Sequence, residues 1–326
     1  MITQADYLFM VEQAAKAPSG HNTQPWKFRL NGNSIEIHPD ITKALPVVDP
    51  ENRELFVSLG CAAENLCIAA SHRGYRTKVG VGKNGVITIT LARQASVTPS
   101  PLLSQIPLRQ TNRRLYTGQP VPDDIVQLLE GVPAEPGVAV HVFAKDSAAF
   151  DDIAHLVYEG NRRQLRDERF VHELQSWMRY NKKHQDETRD GLSYAVFGAP
   201  NIPRRIAQWI ISRTVNETSQ NKLDEKKIAA SSHMILLTTR HNTLNEWVRL
   251  GMTLERLLLT ATKLGVAHAY MNQPNEVAEL AKQLAARLAI PDEHPTVLLR
   301  IGYGKPMPYS LRRDVNSLLI SMDRPE

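Results

Sequence analysis

Apolar positions recur at helical spacing over residues 3–16, predicting a short amphipathic helix closed by Pro18 and Gly20. Strand-like alternation follows at 26–30 and 34–38, with the tight-turn signal Asn31-Gly32-Asn33 between. Asp49-Pro50 predicts the start of a long helix through Arg73, with Asp as N-cap and Pro at the first helical position. Its apolar stripe is Leu55, Leu59, Ala62, Leu66 and Ala69, and Gly74 ends it. Strands at 75–81 and 86–92 flank another Gly-containing turn. The connector Thr98-Pro99-Ser100-Pro101 marks a boundary, which divides the chain into residues 1–98 and 99–326.

Beyond it the pattern predicts a helix at 122–130, a strand at 138–143 and a helix from about 147. Residues 160–230 are highly charged, with Trp177, Tyr180, Tyr194, Phe197 and Trp209 interspersed, and read as helical excursions forming a cover. A strand at 233–239, a long helix at 244–264, a strand at 266–272, a helix at 275–288 and a strand at 295–302 follow. Residues 314–321 alternate like an edge strand or arm. This order predicts an α+β protein with helices packed on mixed sheets rather than a βαβ ladder. The helices 50–73 and 244–264 have little polar surface and are expected to form a central interface between two lobes.

A chain of 326 residues with 42% hydrophobic and 22% charged residues suits a soluble globular protein with a large core. No apolar run approaches the ~18 residues that span a bilayer. The N-terminus lacks a basic segment followed by an apolar stretch, so no signal peptide and a cytoplasmic location are expected. The net charge of +5 is mostly interleaved with acids, as in Arg166-Asp167-Glu168-Arg169, which argues against nucleic acid as a partner. The denser clusters, Arg109 to Arg114 and Arg312-Arg313, read as local anion sites. Cys61 and Cys67 lie on one helix and point apart, as a disulfide or shared metal would not allow. The eleven histidines follow no ligand spacing, so no metal is expected.

Three segments carry candidate chemistry. Ala17-Pro18-Ser19-Gly20-His21-Asn22-Thr23-Gln24-Pro25-Trp26 offers backbone N–H groups, a hydroxyl and carboxamides, a set suited to holding a flat, polar-edged ligand. Arg109-Gln110-Thr111-Asn112-Arg113-Arg114-Leu115-Tyr116 puts guanidinium forks beside Thr and Asn, fitting phosphate and polyol hydroxyls. The third segment, Ile301-Gly302-Tyr303-Gly304-Lys305-Pro306, is a glycine-containing turn followed shortly by Arg312-Arg313. A solvated basic turn is the plain alternative for the arginine segment taken alone.

The first segment resembles the flavin-contacting loop of the FMN-dependent nitroreductase family. The second resembles that family's Arg-x-Ser-x-Arg motif with its following aromatic, Thr111 standing for Ser and Tyr116 for the aromatic. The resemblance implies a nitroreductase-like fold and FMN contacts from Pro18, Ser19, Gly20, His21, Asn22 and Gln24. It implies a phosphate-and-ribityl clamp from Arg109, Thr111, Asn112 and Arg113, joined by either Arg312 or Arg313. Met271, Asn272 and Gln273, in Ala269-Tyr270-Met271-Asn272-Gln273-Pro274, correspond to the loop at the flavin N5 edge, chiefly through main chain.

The arrangement departs from the usual pattern, because the Pro-Ser loop precedes the arginine motif. The second half has only Val132-Pro133-Ala134-Glu135-Pro136 where its own loop would stand. Two fused half-units are therefore expected, as in the long, Acg-like branch of the family. They would form an intrachain pseudo-dimer with one intact FMN site and a helical lid at about 160–230, either monomeric or weakly dimeric. The implied activity passes hydride from NADH or NADPH through flavin N5 to a nitroaromatic, quinone or similar small-molecule acceptor, with no protein acid or base required. The alternative is a non-catalytic FMN-binding or sequestering protein with a closed lid.

Overall fold

A computed structural model describes residues 2–214 and 216–320. Along the chain run α1 (Gln4–Ala14), β1 (Trp26–Asn31), β2 (Ser34–Pro39), α2 (Arg53–His72), β3 (Tyr75–Val81), β4 (Ile87–Arg93), α3 (Asp123–Glu130), β5 (Val138–Ala144) and α4 (Ala148–Arg166). Then come α5 (Glu168–Trp177), β6 (Met178–Arg179), α6 (Lys182–Thr188), β7 (Leu192–Ser193), α7 (Arg204–Thr214) and α8 (Glu217–Ala229). The chain continues through β8 (His233–Thr239), α9 (Leu244–Lys263), β9 (Ala267–Tyr270), α10 (Gln273–Glu276), α11 (Ala278–Arg287) and β10 (His294–Gly302).

The chain forms two compact, sequence-discontinuous units. Unit 1 comprises residues 1–109, 243–260 and 312–326, and unit 2 comprises 110–242 and 261–311.

In unit 1 the sheet order is β1-β2-β4-β3, antiparallel throughout. The β1–β2 hairpin closes where Gly32 adopts φ +58°, a left-handed turn position that glycine takes without a Cβ penalty. Ile87, Ile89 and Leu91 are buried while Thr88 and Thr90 face outward, the period-2 pattern of a sheet with one packed face. On that sheet Glu36 accepts from Arg29 Nε (2.9 Å) and Asn31 Nδ2 (2.7 Å), and lies 2.8 Å from His38 Nε2. Although burial raises its pKa, these partners together hold the carboxyl at about 2. An acid depressed in the folded state stabilises above its unfolded value of about 4.5. That contribution is lost as pH falls toward 2. Glu36→Gln should therefore flatten the acid limb of a urea-midpoint-versus-pH curve over this window.

Helix α2 starts at Arg53 rather than Pro50. Asn52, at φ 59°, interrupts the helical path, and the Asp49 carboxylate instead accepts the Leu55 N–H from below (3.0 Å). By length and composition α2 could cross a membrane, contrary to the expectation that no run approaches that length, but 83% of the apolar stretch is buried as a core helix. Its Gly60 meets Gly251 of α9 at backbone contact. A Cβ on Gly60 would lie 2.1 Å from the Val248 carbonyl oxygen, and one on Gly251 would lie 2.1 Å from that of Val57. Phe56 and Trp247 stack beside the crossing at 6.4 Å.

In unit 2 the order is β5-β8-β10-β9, again antiparallel. Mixed sheets were expected, but among the described residues parallel pairing is confined to the two-residue strands β6 and β7 and two isolated bridges. Phe150, Ile153, Leu156 and Val157 of α4 pack with Leu280 and Leu284 of α11 on Met234, Leu236 and Leu298. The helix expected at 275–288 breaks at Val277, which is extended (φ −113°, ψ 109°), giving α10 and α11. Residues 160–230 are largely helical. Where an edge strand or arm is expected at 314–321, the chain forms a 3₁₀ turn, Val315–Leu318, followed by a single bridge from Leu319 to Phe28. Residue 321 lies outside the described residues.

Candidate functional site

In unit 1 the loop between α1 and β1 carries three non-glycine residues with left-handed backbone: His21 (φ 48°), Asn22 (φ 55°) and Gln24 (φ 54°). Such conformations cost on the order of 1 kcal/mol or more each and cluster at ligand sites. The loop is held from within and without. Ser19 Oγ accepts from the Gln24 N–H (3.0 Å), Ser19 O from the Asn22 N–H (2.9 Å), and Gln24 Oε1 from the Arg313 N–H (2.8 Å). Asn22, Thr23 and Gln24 are buried, whereas Ser19, Gly20 and His21 are half-buried.

Two guanidinium groups converge at the start of this loop. Arg312 donates from Nη1 to Asn22 Oδ1 (2.9 Å) and from Nη2 to the carbonyls of Lys16 (3.2 Å) and Ala17 (3.1 Å). Arg109 donates from Nη2 to the same Lys16 carbonyl (3.0 Å), and its Nε lies 3.4 Å from Glu255 Oε1. Arg313 differs from its neighbour: its guanidinium points toward Asp40, at 3.9 Å.

Arg109 and Glu255 are 5% and 0% exposed, so neither charge is screened by water. Burial lifts the Glu255 carboxyl to about 7 despite Arg109, Asn65 and Arg312, which favour its charged form. Burial, with Arg109 adding to it, lowers Arg312 to about 9, and the opposing carboxylate is the same Glu255. Two cations thus share one carboxyl whose pKa burial raises toward neutrality. Paired guanidinium groups can bind phosphate monoesters through charge-assisted hydrogen bonds; here Arg312 Nη1 and Nη2 and Arg109 Nη2 also donate to Asn22, Lys16 and Ala17.

Unit 2 carries the other candidates. Thr111 bridges to His268, and the Asn112 N–H donates to the His268 carbonyl (2.8 Å). The Asn112 side chain is spent inside the protein: Nδ2 donates to Lys305 O (2.9 Å), and Oδ1 accepts the Arg114 N–H (3.2 Å). Arg113 is half-buried, with its guanidinium 5.5 Å from the Phe197 ring centre. Burial, reinforced by Arg300 and opposed by Tyr270, lowers it to about 10. Met271 belongs to the core, and Asn272 Oδ1 accepts the Leu298 N–H (2.9 Å). Gln273 Nε2 donates to Asn161 Oδ1 (3.2 Å), and its backbone packs on Gly160, where a Cβ would come within 2.9 Å of Gln273 C.

The sequence-predicted residues therefore form two sets. Pro18 to Gln24 with Arg109, Arg312 and Arg313 lie in unit 1, and Thr111, Asn112, Arg113, Met271, Asn272 and Gln273 lie in unit 2. Glu255 and Arg300 escaped the sequence reading. Arg300 is fully buried in β10, donates from Nη2 to the carbonyls of Asn112 (3.2 Å) and Arg114 (2.8 Å), and stacks 4.0 Å from the Tyr116 ring. Each is charged in an otherwise apolar neighbourhood, the pair Glu255-Arg256 between Leu254 and Leu257-Leu258-Leu259, and Arg300 in Leu298-Leu299-Arg300-Ile301, which is the signal the chain offers.

Residues 109–303 match the Nitroreductase family, and the chain belongs to that family. Among curated relatives, "Putative NAD(P)H nitroreductase Rv3131" of Mycobacterium tuberculosis is 27% identical over 94% of this chain and 88% of its own length. "Putative NAD(P)H nitroreductase acg" of the same organism is 22% identical over 98% of this chain and 96% of its own. Among solved structures, the FMN-dependent nitroreductase NfnB of Mycobacterium smegmatis in complex with NADPH is similar at 15% identity. It covers 68% of this chain and 96% of its own, with a TM-score of 0.42.

Proposed function

We propose that this protein is an FMN-dependent oxidoreductase that takes hydride from NADH or NADPH and reduces a small acceptor such as a nitroaromatic or quinone in the cytoplasm. The observation that carries the reading is the convergence of Arg109 and Arg312 on the Lys16 carbonyl, beside a loop held in left-handed backbone and around the carboxyl of Glu255. Bound FMN would supply the two-electron chemistry through its N5 position. The chain's own residues bind and orient it.

Arg109 and Arg312 are assigned to the phosphate, and Ser19, Gly20, His21, Asn22 and Gln24 to the polar edge of the ligand. Arg113 and Thr111 are assigned to phosphate and ribityl oxygens, and the backbone at Met271, Asn272 and Gln273 to the ring edge. Asn112 acts by fixing its neighbours, since its side chain is already bonded on both sides. The reciprocal Gly60–Gly251 contact supports a chain built from two fused, related half-units.

The test is direct. Protein purified with added FMN should be yellow and release one FMN per polypeptide. Anaerobic mixing with NADPH or NADH should bleach the oxidised-flavin absorbance. A colourless protein overturns the reading. A yellow protein that neither nucleotide bleaches favours the sequestering alternative, which the Phe197 ring against Arg113 supports.

A further inference from the structure

α2 and α9 carry the same sequence register. Phe56 matches Trp247, Gly60 matches Gly251, Glu64 matches Glu255, Leu66 matches Leu257, and the helix-ending Gly74 matches Gly265, each pair separated by the same chain distance. Backbone geometry repeats with it: the two terminal glycines have φ 73° and 72°. The helices are equally long, 20 residues each, and the Gly60 and Gly251 contacts mirror one another.

The symmetry breaks one residue after the matched acids. There α9 has Arg256 and α2 has Asn65. Arg256 reaches across to Glu64 and binds it through both forks, Nε to Oε1 (2.9 Å) and Nη2 to Oε2 (2.8 Å). The matching position on α2 offers Glu255 only a neutral amide. Glu255 therefore stands beside Arg109 instead.

We infer that Glu255 is a positioning residue for the phosphate-binding arginine Arg109, and that its protonation sets the strength of FMN binding. In the matched place Arg256 has withdrawn Glu64 from that task. The inference rests on the FMN reading above. The charged and titratable groups around Glu255 are Cys61, Glu64 and its partner Arg256, Arg109 and Arg312. Burial pushes the Cys61 thiol well up, so it stays neutral through the physiological range.

A phosphate dianion seated on Arg109 and Arg312 repels ionised Glu255 and is tolerated by the protonated acid. Binding should therefore take up a proton, and affinity should fall as pH rises through the neutral range. Above about pH 6.5 the FMN phosphate is itself already mostly dianionic, so it contributes little to that slope.

FMN dissociation constants would be measured by flavin fluorescence from about pH 6.5 to about pH 8.5, for wild type, Glu255→Gln and Glu255→Ala. The wild-type affinity should fall by up to about tenfold across this range. Glu255→Gln keeps a polar side chain of the same shape beside Arg109 and removes the charge, so binding should stay tight and lose the slope. Glu255→Ala should bind several-fold more weakly and also without a slope. Calorimetry of the wild type in two buffers of different ionisation enthalpy should show proton uptake near pH 7.5, independently of any variant's folding. A wild-type slope retained in Glu255→Gln, or binding with no proton uptake, overturns the inference and leaves the FMN reading intact. A wild type that binds no FMN at any pH overturns both.

Discussion

Replacing Arg109 and Arg113 together by alanine is expected to abolish FMN retention during purification. Each guanidinium making a charged hydrogen bond to phosphate contributes about 1.5–3 kcal/mol, so the pair is worth about 3–6 kcal/mol. Among the described residues Arg113 has no carboxylate to leave stranded; its backbone N–H is held by Met307 Sδ (3.2 Å) and its side chain lies against Phe197. Loss of Arg109 removes the partner of a buried acid, which for a fixed charge would cost about 3–5 kcal/mol. Here burial already raises the Glu255 carboxyl to about 7, so on losing Arg109 it is expected to take up a proton rather than stay as a buried charge. Arg114→Ala provides the control for net charge, because that side chain is exposed. Equilibrium dialysis with FMN measures the effect, and undiminished binding by the double variant would show the clamp assignment wrong.

Alanine at Gly60 is expected to be the most damaging single change to stability. The added methyl would lie 2.1 Å from the Val248 carbonyl oxygen and 2.9 Å from the Gly251 Cα, both backbone atoms that cannot rotate away. The helices α2 and α9 must separate, which puts the cost at about 3 kcal/mol or more, at the upper end for overpacking. Separation also disturbs the Phe56–Trp247 stack and the Glu64–Arg256 pair, which bridge the same two helices. Gly251→Ala should behave alike, its methyl meeting the Val57 carbonyl oxygen at 2.1 Å. The double variant should cost less than the sum, since one separation accommodates both methyls. Urea denaturation of the four proteins tests both statements; a Gly60→Ala midpoint equal to wild type would remove the close crossing as a constraint.

Asn31-Gly32-Asn33 made a hairpin because that turn is local: two short polar residues flank a glycine free to take positive φ. Nothing beyond the turn need be known. The same holds for β8, whose apolar run ends as expected at Thr239, and for α9, whose apolar spacing spans its full length. α2 starts later than Asp49-Pro50 suggests because Asp49 serves the helix from a distance, through Leu55, while Asn52 turns left-handed between them. For a related reason, sheet direction departs from the mixed pairing expected. Alternation identifies which face of a strand is buried but carries no information about the direction of its neighbour.

Most helices and strands, though not the turn at 315–318 or the break at Val277, are legible in the chain, as are the positions of the basic clusters. Periodicity and turn residues act over a few neighbouring positions, so they can be read without a partner. That Arg312 turns toward Asn22 while Arg313 turns toward Asp40, and that Arg109 meets Glu255, follows only from the packed chain. So does the pairing of Glu64 with Arg256. Those choices depend on which chain-distant segments share a dry interior, where an acid and a base must find each other or give up their charge.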